Sequence, residues 1–365
     1  MSFESLKGQD SAVGYLKASL RNNRISHAYI FSGPDGVGKR LAAINFAKTL
    51  NCGSVKSGEP CDQCASCKKI DSSKHPDIFI LKPKEEGASM VRRSSSTGSL
   101  SLELSRAKSR GSPSTLSKVE GSIKIEDVRA LIRDVYLKPF EAHKKVYMIE
   151  SAEYMKHEAA NALLKTLEEP PADSVIILLT KNTKSLFHTI VSRCQVVKFF
   201  PLKLKEVEEI LTMKYSLSPA DAHTLSHLSG GRLGEALKFK EEDIFTKRSL
   251  LINKIVSGSR ADFDFDDIPK EDVKVYLDMI LAWYSDILKM KAGARDYMLV
   301  NIDKIDSISN EAKKLSFEDL EYVISDTIST ISYLDQNANQ KLAMSVLGLK
   351  INAIRNTQYA RQDRL

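Results

Sequence analysis

No run of 18 or more apolar residues occurs in this 365-residue chain, so the sequence offers no candidate for a membrane-spanning helix. Its first residues, MSFESLKGQD, lack the basic start and apolar stretch of a secretory signal, and the compartment this predicts is the cytosol. Charge of one sign is also scarce. The formal net charge is +7, but nine Lys/Arg against four Glu between positions 82 and 124 supply five of it. The rest of the chain is close to neutral, so composition is weak support for direct contact with nucleic acid.

Cysteine is rare too, five in all, yet Cys52, Cys61, Cys64 and Cys67 fall within 16 residues and only Cys194 stands apart. In a reducing compartment such a cluster points to metal rather than to disulfides. The spacing C-x8-C-x2-C-x2-C can wrap a tetrahedral Zn²⁺. Four thiolates leave no position for water, which makes the site structural rather than catalytic. A set with His75 in place of Cys52 is the alternative. Lys56, Lys68 and Lys69 would offset the thiolate charge. Cys194 reads as a small, buried residue.

What is present, 42% hydrophobic and 28% charged residues, suits two or three domains with packed cores. Residues 26–32 (SHAYIFS) read as a buried strand, GPDGVGKR at 33–40 as a glycine-rich loop, and LAAINFAKTLN as a helix. Further strands are expected at 77–81, 145–150 and 174–180, with helices between them. That alternation predicts a parallel α/β sheet. The Ser-, Gly- and Lys/Arg-rich stretch from about 84 to 122 has too few apolar residues to offset the cost of ordering, and is expected to be a disordered insertion. Beyond about 203 only helices are expected, among them 317–335 and 338–355, with apolar faces suited to packing or oligomerisation.

Gly33, Gly38 and Lys39 satisfy G-x-x-x-x-G-K, in which backbone amides and the lysine reach phosphate oxygens. Position 40, where a hydroxyl helps to hold Mg²⁺, is Arg40, which can neutralise phosphate but cannot ligate the cation. A glycine turn with no ligand is the alternative. The strand VYMI then ends in Glu150, Ser151, Ala152 and Glu153, where an active P-loop ATPase carries an Asp for Mg²⁺ and, in many families, a Glu that activates water. Glu150 could stand in at the metal; Ser151 has no basicity. Two departures thus point to lost hydrolysis, with Glu153, one turn on, as the alternative base.

In order along the chain come GQDSAVGYLKASL (8–20), SHAYIFSGPDGVGK (26–39), NALLKTLEEPP (161–171), SRC (192–194) and SGGRLGEAL (229–237). With them the chain resembles the AAA+ subunits of bacterial clamp loaders over nearly everything but the insertion. NANQKLAMSVLGLKI (337–351) resembles that family's last collar helix. With Arg40, Glu150 and Ser151 beside an intact SRC, it looks like a member of that family that departs from both motifs of the motor subunits.

The resemblance implies an AAA+ P-loop parallel-sheet domain over 1–202, with a zinc module at 52–67. It further implies a helical lid at 203–242 and an all-α collar at 243–365. It implies Arg193 of SRC as an arginine finger acting in trans on ATP held by a neighbour. It also implies Arg232 and Asn182 as sensors of nucleotide, with ATP or ADP binding left open. A surface or capping role is the alternative for both sensors, and a carboxylate partner within its own domain the alternative for Arg193. The implied partners are the gamma/tau motor and delta subunits, and through them the sliding clamp and primer-template DNA. An ATP-hydrolysing gamma/tau-type subunit, and a nucleotide-sensing module outside replication, are the competing readings.

Overall fold

A computed structural model describes residues 2–83, 121–257, 268–269, 272–336 and 338–362. The insertion expected at about 84–122 lies, but for its last two residues, outside the described residues. The described chain divides into two compact units: residues 1–203 with 232–234, and residues 204–231 with 235–365.

Five strands build the first unit: β1 (Ala28–Ser32), β2 (Ile78–Leu81), β3 (Lys145–Ile149), β4 (Ser174–Thr180) and β5 (Gln195–Lys198). They form one wholly parallel sheet in the order β2-β3-β4-β1-β5. The inner strands β1, β3 and β4 are near-continuous apolar runs because both their faces are covered. Alternation of side chains across the pleat then splits the core in two. Tyr29, Phe31, Val146, Met148 and Ile177 meet Leu16 of α1 (Asp10–Arg21) and Phe46 of α2 (Lys39–Asn51). On the other face Ala28, Ile30, Tyr147, Ile149 and Leu178 meet Leu131 of α4 (Ile125–Val135) and Leu163 and Leu167 of α5 (His157–Glu168). Between α2 and β2 lies the short α3 (Ala65–Asp71), and between β4 and β5 the four-residue α6 (His188–Val191). This is the parallel α/β sheet that the alternation predicts, with the glycine-rich loop following its first strand and helices on both faces. The strand β5 was not expected: QVVK has only one fully buried position on the sheet's edge and too short an apolar run to stand out.

Asp77, just before β2, is 1% exposed and accepts hydrogen bonds from the backbone amides of Phe140 (2.8 Å), Glu141 (2.8 Å) and Ala142 (2.9 Å). Burial alone would raise its carboxyl; the three amides outweigh burial and hold it below the ordinary range. A depressed folded value contributes stability that is fully present above the unfolded value of about 3.9. That contribution is lost as pH falls further, through the folded value. Asp77→Asn, which turns an amide N–H₂ toward amide donors, is expected to cost about 1–3 kcal/mol at neutral pH. It should also flatten the acid limb of the stability curve, as urea unfolding against pH would report.

The second unit is helical: α7 (Leu204–Tyr215), α8 (Pro219–Leu228), α9 (Leu233–Glu241, its first two residues counted with the sheet unit), α10 (Ile244–Ser257), α11 (Val273–Lys291), α12 (Ile305–Lys314), α13 (Phe317–Asp335) and α14 (Gln340–Gln362). α8 begins with Ser218 capping the Asp221 amide and Pro219 in the first turn. α13 begins with a Ser316/Asp319 capping box. Leu277, Ile280, Tyr284 and Ile287 give α11 a buried stripe, flanked by the fully buried Trp283. α12 and α13 pack on α11, and α14 packs on α13.

A buried polar knot sits beside that stripe. Asp286, fully buried, accepts from the Val300 amide (2.9 Å), the Asn301 amide (2.8 Å) and Asn301 Nδ2 (2.8 Å). Arg248 in turn donates to Asn301 Oδ1 (3.0 Å) and Asp303 (2.5 Å). The carboxylate and both terminal nitrogens of the guanidinium are hydrogen-bonded, as burial requires, while Arg248 Nε is buried with no partner among the described residues. Among the described residues no helix is long and apolar enough to cross a membrane.

Candidate functional site

Ligands of open parallel sheets bind beyond the carboxyl ends of the strands, and of the residues read from the sequence Gly33, Gly38, Lys39, Arg40, Glu150 and Asn182 lie there. The loop after β1 runs from Gly33, whose amide donates to Thr180 O at the end of β4 (3.2 Å), to Gly38, the residue that caps α2. Gly38 has φ +99°, a conformation closed to other residues without strain. Segment 232–234 closes over the loop: the Gly234 amide donates to Gly36 O (2.9 Å), and a Cβ at Gly234 would lie 2.9 Å from that oxygen. Arg232 belongs to the same segment, in the compact unit of the loop.

Lys39 is buried and turned back on its own loop. Its Nζ donates to Gly33 O, to Pro34 O (2.9 Å) and to Asp35 Oδ1 (3.5 Å). Burial pushes the ammonium below the usual lysine range, with Asp35 and Glu153 opposing. Arg40 and Glu150, the two residues that replace the expected hydroxyl and Asp, form an ion pair with each other: Arg40 Nε lies 2.8 Å from Glu150 Oε1. Lys82 lies 3.5 Å from the other oxygen. Ser151 adopts a left-handed backbone (φ +51°) that opens the 3-10 turn Ala152–Tyr154. Glu153, in that turn, has both carboxylate oxygens buried without a hydrogen-bond partner among the described residues, in the field of Lys39 and Lys181.

Asn182 follows β4 and caps the turn Thr183–Ser185, its side chain accepting from the Lys184 amide (2.9 Å). The neighbouring Lys181 is an addition to the residues read from the sequence. It pairs with Asp35 at 3.0 Å, and although burial works against its charge, that pairing holds it above the usual lysine range. The loop is thus surrounded by its own counter-charges: Lys39, Lys181, Lys82 and Arg40 against Asp35, Glu150 and Glu153. Asp35 lies inside the motif and Lys181 directly before Asn182, but neither occupies a consensus position.

Arg193 lies between α6 and β5, outside this network. Its Nη1 donates to Thr189 O (2.9 Å), and Nη2 lies 2.6 Å from Glu168 Oε1, at the end of α5. Both side chains are partly open to solvent, about 35% and 50% exposed. Glu168 is the first glutamate of the LEEPP sequence and was not singled out. Cys194 beside it is half-buried against the core, and burial pushes its thiol up to about 12.

The four clustered cysteines converge, with their sulfur atoms all within 4.8 Å of one another. Tetrahedral thiolates about 2.3 Å from zinc stand about 3.8 Å apart, so the donor set fits. Backbone amides already point at the sulfurs: Ser54 and Cys61 at Cys52 Sγ (3.4 and 3.3 Å), Cys64 at Cys61 Sγ (3.3 Å), and Cys67 at Cys64 Sγ (3.5 Å). The Gln63 and Cys64 amides draw the Cys61 thiol down to about 6. Cys52 therefore completes the set. His75 instead accepts from the Asp77 amide (3.2 Å) and faces Glu141. Lys48, unforeseen, is fully buried beneath the module, paired with Asp62 and with Asp71 (2.8 Å), while Lys69 pairs with Glu141 (2.6 Å).

Comparison with known proteins gives matches along almost the whole chain. The family model described as DNA polymerase III, delta subunit, matches residues 8–203, and the one described as DNA polymerase III, delta subunit, C terminal, matches residues 246–351. DNA polymerase III subunit delta' of Bacillus subtilis (strain 168) is 30% identical over 355 residues, 94% of this chain and 96% of that protein. The delta' subunit of Pseudomonas aeruginosa is 28% identical over 263 residues, covering 72% of this chain and 70% of its own. The tau subunit of Bacillus subtilis is 30% identical over 269 residues, 70% of this chain but 41% of that longer protein.

Proposed function

The chain belongs to the DNA polymerase III delta-subunit family as a clamp-loader subunit of the delta-prime type, and from that premise we propose that it hydrolyses no ATP itself. It serves instead as the stator of the loader, assembling with gamma/tau motor and delta subunits and presenting Arg193 to a motor subunit's ATP. The sliding clamp and primer-template DNA are then partners of the assembly, in the cytoplasm.

The observation that carries this reading is the Arg40–Glu150 ion pair. Metal-assisted phosphoryl transfer needs a hydroxyl and a carboxylate free to hold Mg²⁺ at the phosphates. Here arginine and glutamate occupy those two positions and neutralise each other. Lys39, the phosphate-binding lysine of the motif, is engaged with its own loop. The donors present do not fit a Mg²⁺–nucleotide, and no hydrolytic step runs through this loop. Zn²⁺, held by Cys52, Cys61, Cys64 and Cys67, is structural in this reading, since four thiolates close the coordination shell.

One observation favours a motor-type reading: Glu153 keeps a buried carboxylate without a hydrogen-bond partner among the described residues, in the field of Lys39, as a base displaced by one turn would. The isolated chain, given ATP and Mg²⁺, is expected to show no turnover above buffer. Together with tau and delta subunits it is expected to restore turnover stimulated by clamp and DNA. Intrinsic turnover that disappears in Glu153→Gln would establish the motor reading instead.

A further inference from the structure

A second group of metal-ligating side chains lies in the helical unit, far in sequence from the cysteines. Glu208 of α7 and His223 and His227 of α8 bring one ligand atom each to within 4.8 Å of the others. His223 and His227, four residues apart, share one face of α8, their rings 4.1 Å apart between centroids. Glu208 Oε1 is 3.0 Å from His223 Nδ1 and 3.9 Å from His227 Nδ1.

The hydrogen bonding fixes what this arrangement needs. His223 Nε2 is 2.7 Å from Leu299 O, a carbonyl that can only accept, so Nε2 carries the hydrogen. In the neutral ring Nδ1 then presents a lone pair to a carboxylate oxygen 3.0 Å away, an arrangement that requires a positive charge between them. A histidine ligand whose far nitrogen donates to a backbone carbonyl is the usual outer-shell arrangement of a metal site. Ser226 Oγ lies 3.2 Å from Glu208 Oε1 and 2.8 Å from His223 O, the carbonyl being the nearer acceptor for its one hydrogen. As it stands His227 Nδ1 lies 3.0 Å from His223 O, which can only accept, so by the same rule this nitrogen carries the hydrogen; binding a metal through it requires the other tautomer and the loss of that contact.

We propose that Glu208, His223 and His227 form a second metal site, for a late first-row divalent ion such as Zn²⁺, with solvent completing the shell. Ligands about 2.0–2.1 Å from zinc in a tetrahedron lie about 3.3 Å apart, a value bracketed by the two carboxylate–imidazole distances. Two imidazoles and one carboxylate suit zinc, nickel or iron rather than calcium or magnesium. All three side chains are partly exposed, so the ion can exchange. It would clasp α7 to α8 and, through His223, to the Leu299 carbonyl that leads into the Asp286 knot.

The test is titration of the full-length, metal-stripped chain with Co²⁺, followed by Zn²⁺ displacement. Thiolate ligation gives a sulfur-to-cobalt charge-transfer band; imidazole and carboxylate do not, so the two sites report separately. The expected result is one equivalent with the thiolate band and one without it. The second should weaken more than about tenfold in Glu208→Gln and in His223→Gln, with the thiolate band retained as the sign of an intact fold. A single, thiolate-bound equivalent in the wild type, or a second equivalent unmoved by both substitutions, overturns the site and leaves a proton-bridged Glu–His pair. Should either variant lose the thiolate band, the wild-type imidazole resonances decide: two of the seven histidines shifting with the second equivalent supports the site, and none shifting removes it.

Discussion

If Arg193 serves a neighbouring motor site as proposed, Arg193→Ala is expected to leave the isolated chain folded and to lower ATP turnover at that site by about 10³-fold or more once the loader is assembled. The expectation follows from setting two energies against each other. In the free chain Arg193 is held by Glu168 and by Thr189 O, and the ion pair, open to solvent on both sides, is worth about 0–1 kcal/mol. An arginine brought to the γ-phosphate of a neighbour is worth several times that. The Glu168 contact can therefore orient the guanidinium before assembly without competing with its use afterwards. Glu168→Gln should change assembled turnover by no more than about fivefold, the ceiling that 1 kcal/mol sets. Single-turnover ATP hydrolysis by loaders reconstituted with each variant separates the two. A drop as large for Glu168→Gln as for Arg193→Ala would mean that the pair, not the free arginine, is the functional unit.

Removing the thiolate-bound metal is expected to have the largest effect on stability. Structural zinc contributes on the order of 10 kcal/mol in isolated fingers. Here the module has other anchors, because Lys48 ties Asp62 and Asp71 to α2, so only part of that value should appear in global unfolding. If about 3 kcal/mol does, Cys61→Ser lowers the thermal midpoint by roughly 6–12 °C. Strand and helix content elsewhere should survive, while amides from residues 52 to 71 exchange faster. Zinc content by atomic absorption and local hydrogen exchange check the two halves of this expectation. Bound zinc retained in Cys61→Ser would instead bring His75, or a water, into the ligand set.

Much of this was legible because each feature rests on local periodicity or on fixed spacing. Continuous apolar runs gave β1, β3 and β4, since strands buried on both faces cannot alternate. The knuckle spacing gave the cysteine cluster complete, and the helix expected at 317–335 is α13 to the residue. β5 escaped because an edge strand of four residues carries almost no pattern. The identities of the ion-pair partners escaped for a different reason, although a carboxylate within its own domain was the stated alternative for Arg193. Arg40 with Glu150, Lys181 with Asp35, Arg193 with Glu168 and Lys48 with Asp71 are separated by 23 to 146 positions, and only the fold brings them into reach. Glu208, His223 and His227 show the same limit: His-x3-His is visible on α8, but the carboxylate on α7 becomes its neighbour only when the two helices pack.

The Arg40–Glu150 pair also bears on how such a chain could change. Each residue makes the other tolerable. Arg40→Ser alone would leave Glu150, 18% exposed, with the more distant Lys82 as its one cation among the described residues; an aspartate at 150 alone, shorter by a methylene, would draw away from Arg40. Residues in direct contact are energetically coupled, so neither single step toward a metal-binding pair retains what the present pair contributes. The two positions therefore behave as one unit: exchanging both together is expected to disturb the loop less than the two single exchanges summed.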